Sequence, residues 1–300
     1  MSVRNPATVL PSHDFGNGAD GDIEVSSSVT WTDKTGQYEN ITVANGGTLG
    51  APSTRYGPLI IRCNGLLHVE AGGKIDGSAK GQIWDGTQWH DTRVGNGHIS
   101  NLSGYGDVTD YIELIFAPQW PIPGGGGGGQ GGGNAGSKCE LSFDANNTLY
   151  VPGIAQATEA SGGAAGSNGQ DGSAAIADAD RVKMDVTPER PAIGCQGGAG
   201  GAAVVGPVGG RGGTAIIIFA KTVIVDASGT IEANGGVGTD ASANNEGGGG
   251  GGGGGSILIV TESYTNNGDV EANGGGGGAG NGTGGDGGNG QDGIIRIWRP

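Results

Sequence analysis

The stretch GGGGGGGGGSILIV, residues 247–260, decides how this chain folds. Glycine loses more backbone entropy on ordering than any other residue, and it brings no side chain to a core. A run of nine glycines is therefore either a flexible linker or a packed element that requires the missing side chain. The apolar residues that follow this run directly are typical of a buried strand, and they favour the packed alternative.

Further glycine blocks show the same arrangement. Glycine supplies 71 of the 300 residues, and a second unbroken run spans residues 124–129. Gly213 precedes the apolar run 214–220, and Gly293 precedes the run 294–298. Flexible linkers mix glycine with serine and lack such neighbours, while collagen requires a Gly-X-Y period that this chain does not have. We therefore predict that the blocks pack together as extended, left-handed polyglycine helices with three residues per turn, bonded backbone to backbone.

A repeated unit connects the glycine blocks. Residues 59–77 align without a gap on residues 215–233, and a third copy spans residues 257–273. Shorter copies are expected at residues 41–49 and 141–153. Each unit reads as a strand, a turn, a short strand with alternating apolar residues, and an Asn/Gly turn. Stacked units of this kind form a solenoid in which each repeat covers its neighbour.

These patterns predict the fold class and its divisions. We expect an all-β fold with irregular content, in which β-solenoid-like repeats are interleaved with packed polyglycine helices and almost no α-helix occurs. Residues 1–57 are predicted as an N-terminal β region, 58–123 as a β-repeat with an aromatic-rich insertion, and 124–300 as a glycine-rich slab with interleaved strands. An ordinary β-sandwich is the alternative, but loops of this length are uncommon inside a compact domain.

Composition and charge argue against several classes of protein. The net charge is −15 and the basic residues form no stripe, which disfavours nucleic-acid binding. The N-terminus lacks the apolar stretch of a standard secretion signal, and no run is apolar for long enough to span a membrane. We therefore expect synthesis in a cytoplasm and no membrane insertion. The three cysteines have neither disulfide-framework nor zinc-site spacing, and Cys63 is expected in the core.

An aromatic-rich stretch interrupts the repeats at residues 82–123. Aromatic rings beside carboxylates and amides are typical of sugar sites and of hot spots for protein binding. A small buried core is the alternative interpretation, because most aromatic side chains pack inside. The candidate receptor-binding residues in this stretch are Trp84, Trp89, His90, Tyr105 and Trp120.

A polar stretch at residues 153–194 has almost no large apolar residue. It is interpreted either as a surface loop without a binding role or as a recognition loop displayed from the glycine scaffold. Its candidate receptor-binding residues are Asn168, Asp171, Arg181 and Glu189.

Metal and catalytic motifs are sparse. Residues 287–295 fit the calcium nonapeptide G-G-x-G-x-D-x-U-x, but they lack the tandem copies whose turns supply ligands jointly. We expect no cofactor and no metal, with a calcium ion near Asp292 as the alternative. The four histidines form no recognisable Ser/His/Asp or Cys/His arrangement, and no carboxylate pair stands out for glycoside cleavage. No catalytic residue is predicted.

The segments GGAGGAAVVG, residues 197–206, and the glycine run 247–255 resemble the tail-fibre tip adhesins of T-even-type bacteriophages. The resemblance covers roughly residues 124–300. It implies a slab of polyglycine helices whose intervening segments contact a host receptor, and hence a non-enzymatic virion adhesin of a tail fibre, tail tip or spike.

The implied partners are a host surface glycan or outer-membrane protein, and other virion proteins that bind the N-terminal region. The resemblance leaves open whether the protein itself is a monomer or an oligomer. The implied location is the virion. Two other functions stay open at this point. One is a capsule or polysaccharide depolymerase of a phage particle, and the other is an ice-binding or other structural protein built on glycine helices.

Overall fold

The described part of the chain consists of strands, turns and extended glycine-rich segments, and it contains no helix. The structure, a computed structural model, describes residues 15–32, 36–51, 58–80, 83–84, 89–90, 120–122, 128–131, 192–194, 197, 200–202 and 206–299. The predicted all-β class is confirmed for these residues. Their strands are β1 (Ile23–Val25), β2 (Ser28–Thr30), β3 (Ile41–Val43), β4 (Thr48–Gly50), β5 (Leu59–Val69), β6 (Lys74–Asp76), β7 (Ile83–Trp84), β8 (Trp89–His90), β9 (Trp120–Ile122), β10 (Ala192–Gly194), β11 (Ala215–Val225), β12 (Thr230–Glu232), β13 (Ser256–Val260), β14 (Ser263–Asn266), β15 (Asp269–Glu271) and β16 (Ile294–Trp298).

Two parallel sheets carry the apolar core. The larger sheet has the order β1, β3, β5, β11, β13, β16, and β14 also pairs with β11. The second sheet has the order β15, β12, β6, β4, β2. Every pair in both sheets is parallel. Parallel neighbours need crossover connections rather than hairpins, and here successive strand pairs of the chain add to the same two sheets in turn.

Equivalent apolar residues of successive strands lie side by side in the core. Ile75 pairs with Ile231 in the second sheet, and both side chains are fully buried. Val69 and Val225 form a corresponding buried pair in the larger sheet. Full burial of an aliphatic side chain contributes about 1.5–3 kcal/mol, which explains why alternate positions of the repeats are apolar. The equivalent inward placement of Ile75 and Ile231, expected from their alignment, is confirmed.

The gapless alignment of the two longest repeats is correct for its second half and wrong by one residue for its first. Val69 lies opposite Val225 as aligned, but Leu59 lies opposite Ile216, one residue later than aligned. At the change of register β5 contains one residue more than β11, and Gly65 lies there. A Cβ at Gly65 would collide with a neighbouring backbone oxygen. A bulge of this kind inserts one residue into a ladder and bends the strand.

The shorter repeats extend both sheets towards the N-terminus. The predicted copy at residues 41–49 supplies β3 and most of β4, whereas the copy at 141–153 lies outside the described residues. A further copy at residues 23–30, which the sequence analysis did not identify, supplies β1 and β2. β1 to β4 thus belong to the same sheets as β5 and β6. The division of the chain into three parts stays a prediction.

Buried aromatic residues and a thiol complete this end of the core. Phe15 and Trp31 are buried, and the Trp31 ring lies tilted at 5.3 Å from the Tyr38 ring. The Cys63 thiol is fully buried and donates to the carbonyl oxygen of Glu39 at 3.1 Å. Burial raises the pKa of the Cys63 thiol, which opposes formation of a reactive thiolate. The expectation that Cys63 is a core residue is confirmed.

Candidate functional site

A bundle of glycine-rich segments continues directly from both sheets. Its central segment, residues 247–255, is buried along its whole length. Six other segments exchange backbone hydrogen bonds with it, and each of the six also bonds to the next, which closes a ring around the centre. We call these seven segments the glycine bundle, and the six outer ones comprise residues 128–131, 197 with 200–202, 206–214, 233–241, 272–281 and 284–293.

Hydrogen bonds within the bundle recur at every third residue. Three N–H groups on one side of the central segment donate to residues 284–293 at 2.8–2.9 Å, and the pairs are Gly248 to Gly285, Gly251 to Gly288, and Gly254 to Gln291. On another side of the central segment, every third N–H group donates to residues 233–241, which run antiparallel to the central segment. The exposed residues of the outer segments 272–281 and 284–293 follow the same interval, and they are Asn273, Gly276, Ala279, Asp286, Asn289 and Asp292. Each side of a segment therefore meets its own neighbour or solvent.

The segments approach so closely that a side chain at many of the buried glycines would overlap a neighbouring backbone. A Cβ at Gly251 would lie far inside van der Waals contact with the carbonyl group of Gly275, and a Cβ at Gly249 would overlap that of Val208. Gly276, on the outer face, has no atom within 4 Å of the place where its Cβ would lie. Close approach lets the backbones satisfy one another's polar groups, which buried backbone requires.

Asparagine and aspartate side chains bond the N–H groups on the outer face of residues 272–281. On one flank the acceptors are Asp292, Asn289 and Asp286, which bond the N–H groups of Gly274, Gly277 and Gly280 at 2.9, 3.0 and 2.8 Å. On the other flank they are Asn234 and Asp240, which bond Asn273 and Ala279, each at 2.7 Å. Among the described residues no further glycine segment bonds to this face, and Asn273, Gly276 and Ala279 are exposed on it.

The same contacts involve the residues of the calcium-like motif 287–295. Asn289 and Asp292 each direct a side-chain oxygen to a backbone N–H group. Among the described residues no group of three or more His, Cys, Asp and Glu side chains is arranged to hold a metal ion. The hypothesis of a calcium ion near Asp292 stays a prediction, as does the expectation that the protein has no cofactor.

Replacement of Asn289 by alanine is expected to cost about 1 kcal/mol of unfolding free energy, because the Gly277 N–H loses its protein acceptor. Asn289→Asp keeps an acceptor oxygen at the same place and should cost less than half as much. Equilibrium unfolding in urea measures both values. Equal losses for the two variants would show that the hydrogen bond is not what Asn289 contributes.

The end of the bundle remote from the sheets carries polar turns. The opposite ends of its segments continue into strands, as where Gly255 precedes β13 and Gly293 precedes β16. At the remote end, one turn leads into the central segment and another connects residues 272–281 to residues 284–293. We call residues 240–246 and 279–284 the tip.

Hydrogen bonds between the two turns fix the tip. The Asn281 N–H donates to the carbonyl oxygen of Glu246, and the Thr283 hydroxyl donates to Asn245 Oδ1, both at 2.9 Å. The Glu246 carboxylate also accepts the Ala243 N–H at 3.1 Å. Asn245 has a φ of 65°, a left-handed conformation that asparagine adopts more readily than most residues. The exposed residues on this fixed backbone are Asp240, Ser242, Ala243, Asn244, Ala279, Gly282 and Thr283.

The structure describes only the backbone of four predicted site residues. Trp84 pairs with Trp89 across the antiparallel strands β7 and β8, and His90 pairs with Ile83. Trp120 begins β9, which pairs in parallel with β10. The other predicted residues lie outside the described residues, and they are Tyr105, Asn168, Asp171, Arg181 and Glu189. All nine assignments stay predictions.

The tip itself was not among the sequence predictions. Its exposed residues are small and lie between glycine blocks, where they form no aromatic cluster and no recognised motif. The only feature of the sequence that marks the tip is the absence of glycine from residues 239–246, which lie between two glycine blocks. The Gly131 N–H donates to the Asn245 carbonyl oxygen at 2.9 Å, so Gly131 lies beside the tip.

Comparisons with known proteins found no match to this chain among protein-family models, curated proteins or solved structures. In the part of the chain that the structure describes, no helix has the length and apolar character needed to cross a membrane. The glycine bundle and its tip are therefore the features from which a function can be inferred.

Proposed function

We propose that this protein is a bacteriophage virion adhesin, of a tail fibre, tail tip or spike, that binds a host cell-surface receptor through its tip and adjoining segments. One observation carries the proposal: two exposed polar turns are hydrogen-bonded to each other at the end of a bundle whose backbones are bonded to one another in a closed ring. Loops held in this way lose little entropy on binding, which favours recognition from a rigid scaffold.

The proposal includes the finer architecture. The three-residue interval of bonds and exposure supports polyglycine helices with three residues per turn. The in-register addition of β3 and β4, β5 and β6, and β11 and β12 to two parallel sheets supports a β-solenoid. The first feature agrees with the resemblance to T-even-type tail-fibre tip adhesins, whereas the β-repeats between the glycine blocks depart from the pattern of those proteins.

The partners follow from the same proposal. The receptor is a glycan or an outer-membrane protein of the host surface, and other virion proteins hold the N-terminal region to the particle. The protein is located on the virion and acts by binding, without catalysis. Its acidic net charge of −15 supports solubility and disfavours association with nucleic acid.

A polysaccharide depolymerase is the second candidate function. Asp76, Glu232 and Glu271 lie in register on three adjacent strands of the second sheet. Adjacent strands are about 4.8 Å apart, which is close to the carboxylate separation of retaining glycosidases. Against this function, Glu232 forms an ion pair with Lys74 at 2.8 Å, and Glu271 accepts from the Asn273 amide at 3.1 Å. These two carboxylates therefore have structural partners.

An ice-binding function requires flat rows of threonine on a sheet face. The solvent-side row of the second sheet consists of Ser28, Thr48, Lys74, Thr230 and Asp269. Lys74 and Asp269 interrupt this row with charges, and the ion pair of Lys74 adds a carboxylate beside it. This surface supports the ice-binding alternative less well than the tip supports an adhesin.

The test is binding to a panel of whole bacterial cells and purified glycans, with release of reducing sugar monitored. Ala243→Trp should lower binding to the recognised cell at least about tenfold, equivalent to about 1.4 kcal/mol, because the large ring obstructs the exposed tip. Val237→Trp is the matched control, because Val237 is 69% exposed outside the tip. Both variants should melt like the native protein. Unchanged binding by Ala243→Trp would contradict the proposal, and sugar release would favour the depolymerase.

Three further variants test whether the two predicted recognition segments contribute to binding. Exchange of residues 155–185 for a Gly/Ser spacer should leave thermal stability nearly unchanged, because a stretch with so few large apolar residues is expected to add little to a core, and it should weaken cell binding. Trp84→Ala and Trp89→Ala test the aromatic stretch 82–123. If only the tryptophan variants lose binding, recognition lies in that stretch and not at the tip.

A further inference from the structure

Both sheets have an open edge at each end of the stack of repeats. In the part of the chain that the structure describes, β1 pairs only with β3 and β2 only with β4, and we call β1 and β2 the N-terminal edge. At the opposite end β14 pairs only with β11 and β15 only with β12, and we call β14 and β15 the C-terminal edge. An edge strand presents backbone N–H and C=O groups with which another strand can pair.

The two edges are the ends of the same rows of apolar side chains. One row consists of Val29, Leu49, Ile75, Ile231 and Val270, and the other of Ile23, Ile41, Leu67, Val223 and Tyr264. The inner members of both rows are fully buried, whereas Val29 is 40% exposed and the other end members are half-buried. Stacked repeats expose apolar surface wherever no further unit covers them. Each row therefore stops at both ends with an apolar side chain that is incompletely covered.

The larger sheet is stepped, and its two ends step in opposite directions. On the side of the strands next to the glycine bundle, β16 extends the sheet one strand beyond β13 and β14, and it exposes Ile295 and Ile297. On the side remote from the bundle, β3 and β1 extend the sheet two strands beyond β5. A second copy displaced along the sheet can therefore bring its β1 into the place beside β14 that β16 leaves open.

Continuation of the repeat register would place compatible side chains opposite each other. Val29 of the second copy would lie opposite Val270, and Ile23 of the second copy opposite Tyr264, so both apolar rows would continue without a break. The polar pairs would be Ser28 with Asp269, Thr30 with Glu271, and Glu24 with Thr265. None of these pairs sets a carboxylate against another carboxylate.

Symmetric pairing of like edges fits less well. Two C-terminal edges paired about Val270 would bring Asp269 of each copy against Glu271 of the other, and like charges directly opposite are destabilising. Symmetric pairing about a two-fold axis would also be antiparallel, whereas every pair in both sheets is parallel. Unlike edges can continue the parallel ladder.

We propose that copies of this protein assemble head to tail, with the N-terminal edge of one copy paired in parallel with the C-terminal edge of the next. Such a contact is heterologous, and because it does not close on itself it produces an open row of copies. Each apolar row contains five strands, so successive copies lie about 24 Å apart at roughly 4.8 Å per strand. The first copy of a row keeps a free N-terminal edge for contact with the particle.

Assembly of this kind leaves the tip of every copy exposed, because the tip lies at the end of the bundle remote from the sheets. A row of copies presents several tips to one cell surface, which raises the overall avidity without any new contact. This consequence rests on the proposed receptor-binding function. The assembly itself rests on the sheet edges, so loss of cell binding with intact assembly would contradict the receptor proposal alone.

Sedimentation of the full-length protein over a range of concentrations tests the assembly. The native protein should show an average mass that rises with concentration beyond that of a dimer. Val29→Lys and Val270→Lys each place a charge within one contact, and each should raise the dissociation constant at least about tenfold. Val237→Lys is the matched control, because this exposed valine lies in the glycine bundle outside both edges. The control should assemble like the native protein.

A mixture of the two edge variants distinguishes head-to-tail assembly from symmetric pairing. Val29→Lys keeps an intact C-terminal edge and Val270→Lys an intact N-terminal edge, so their equimolar mixture should form dimers and nothing larger. If Val270→Lys does not fold, Val29→Lys added to native protein should shorten the assemblies, because it ends a row. A native protein that stays monomeric, dimers of Val29→Lys alone, or edge variants that assemble like the native protein would overturn the proposal.

Discussion

Gly251→Val is expected to prevent the glycine bundle from forming. Gly251 is buried in the central segment, its N–H donates to the Gly288 carbonyl oxygen at 2.9 Å, and a Cβ would overlap the carbonyl group of Gly275. Overpacking against side chains costs about 1–3 kcal/mol, and backbone yields less readily than side chains do. We therefore expect a loss of more than about 3 kcal/mol, measured as unfolding free energy in urea.

Gly276→Val is the matched control for this prediction. Gly276 lies on the outer face of the bundle, and a Cβ there would have no atom within 4 Å. We expect the control to change the unfolding free energy by less than about 0.5 kcal/mol, as is usual for surface substitutions. A similar loss from both variants would mean that these positions need glycine for its backbone freedom and not for space. No loss from either would contradict the close packing.

The second large effect is expected from Ile231→Asp. Ile231 lies between Ile75 and Val270 in the second sheet and is fully buried. Aspartate would remove apolar burial and place a carboxylate without a partner among aliphatic side chains, which is strongly unfavourable. We expect a loss of more than about 4 kcal/mol and no cooperative unfolding transition. Thermal melting followed by circular dichroism measures the effect.

Thr230→Asp provides the control on the same strand. Thr230 faces the opposite side of the second sheet and pairs with Lys74 and Asp269. A carboxylate there gains an attraction to Lys74 and a repulsion from Asp269, so its effect should stay below about 1 kcal/mol. A soluble Ile231→Asp protein that melts cooperatively would refute the continuous core at this position.

The strands that sequence analysis located best are those with dense apolar runs. Residues 215–220 and 256–260 are bounded by glycine and rich in isoleucine, and they form the start of β11 and all of β13. Ile75 and Ile231 were matched because their repeats share a spacing from valine to isoleucine. Burial of apolar side chains dominates the folding of these elements, so their pattern was sufficient to locate them.

Other features have no side-chain pattern by which they could be recognised. The extra residue at Gly65 is accommodated by local backbone geometry, so the gapless alignment did not indicate it. Within the predicted N-terminal β region, the repeat copy that forms β1 and β2 was not recognised, because the residues that connect the two strands are serines and each strand has only three residues. Backbone hydrogen bonds determine which glycine segments are neighbours in the bundle. Glycines in different blocks are chemically alike, so the order of the ring cannot be read from them.

The candidate site was harder to predict than the fold. Sequence analysis favoured residues with large or charged side chains, such as Trp84 and Arg181, because these are common at binding sites. The tip instead consists of small polar residues whose shared position depends on contacts between distant turns, such as Thr283 with Asn245. That proximity arises from the antiparallel course of the glycine segments, and no local motif encodes it. The tryptophan assignments and the tip can both be tested by the cell-binding experiment.

The central segment also has an ambiguity of alignment that only its ends can remove. Its nine residues are identical and its backbone bonds repeat every third residue, so a slip by three positions would restore the same kinds of bond. The correct alignment is imposed by Asn245 and Glu246 at one end and by Ile257 at the other. The permitted lengths of such a segment are therefore quantised. Gain or loss of three glycines keeps both ends in phase, whereas a change of one glycine turns every later carbonyl group towards a different neighbour.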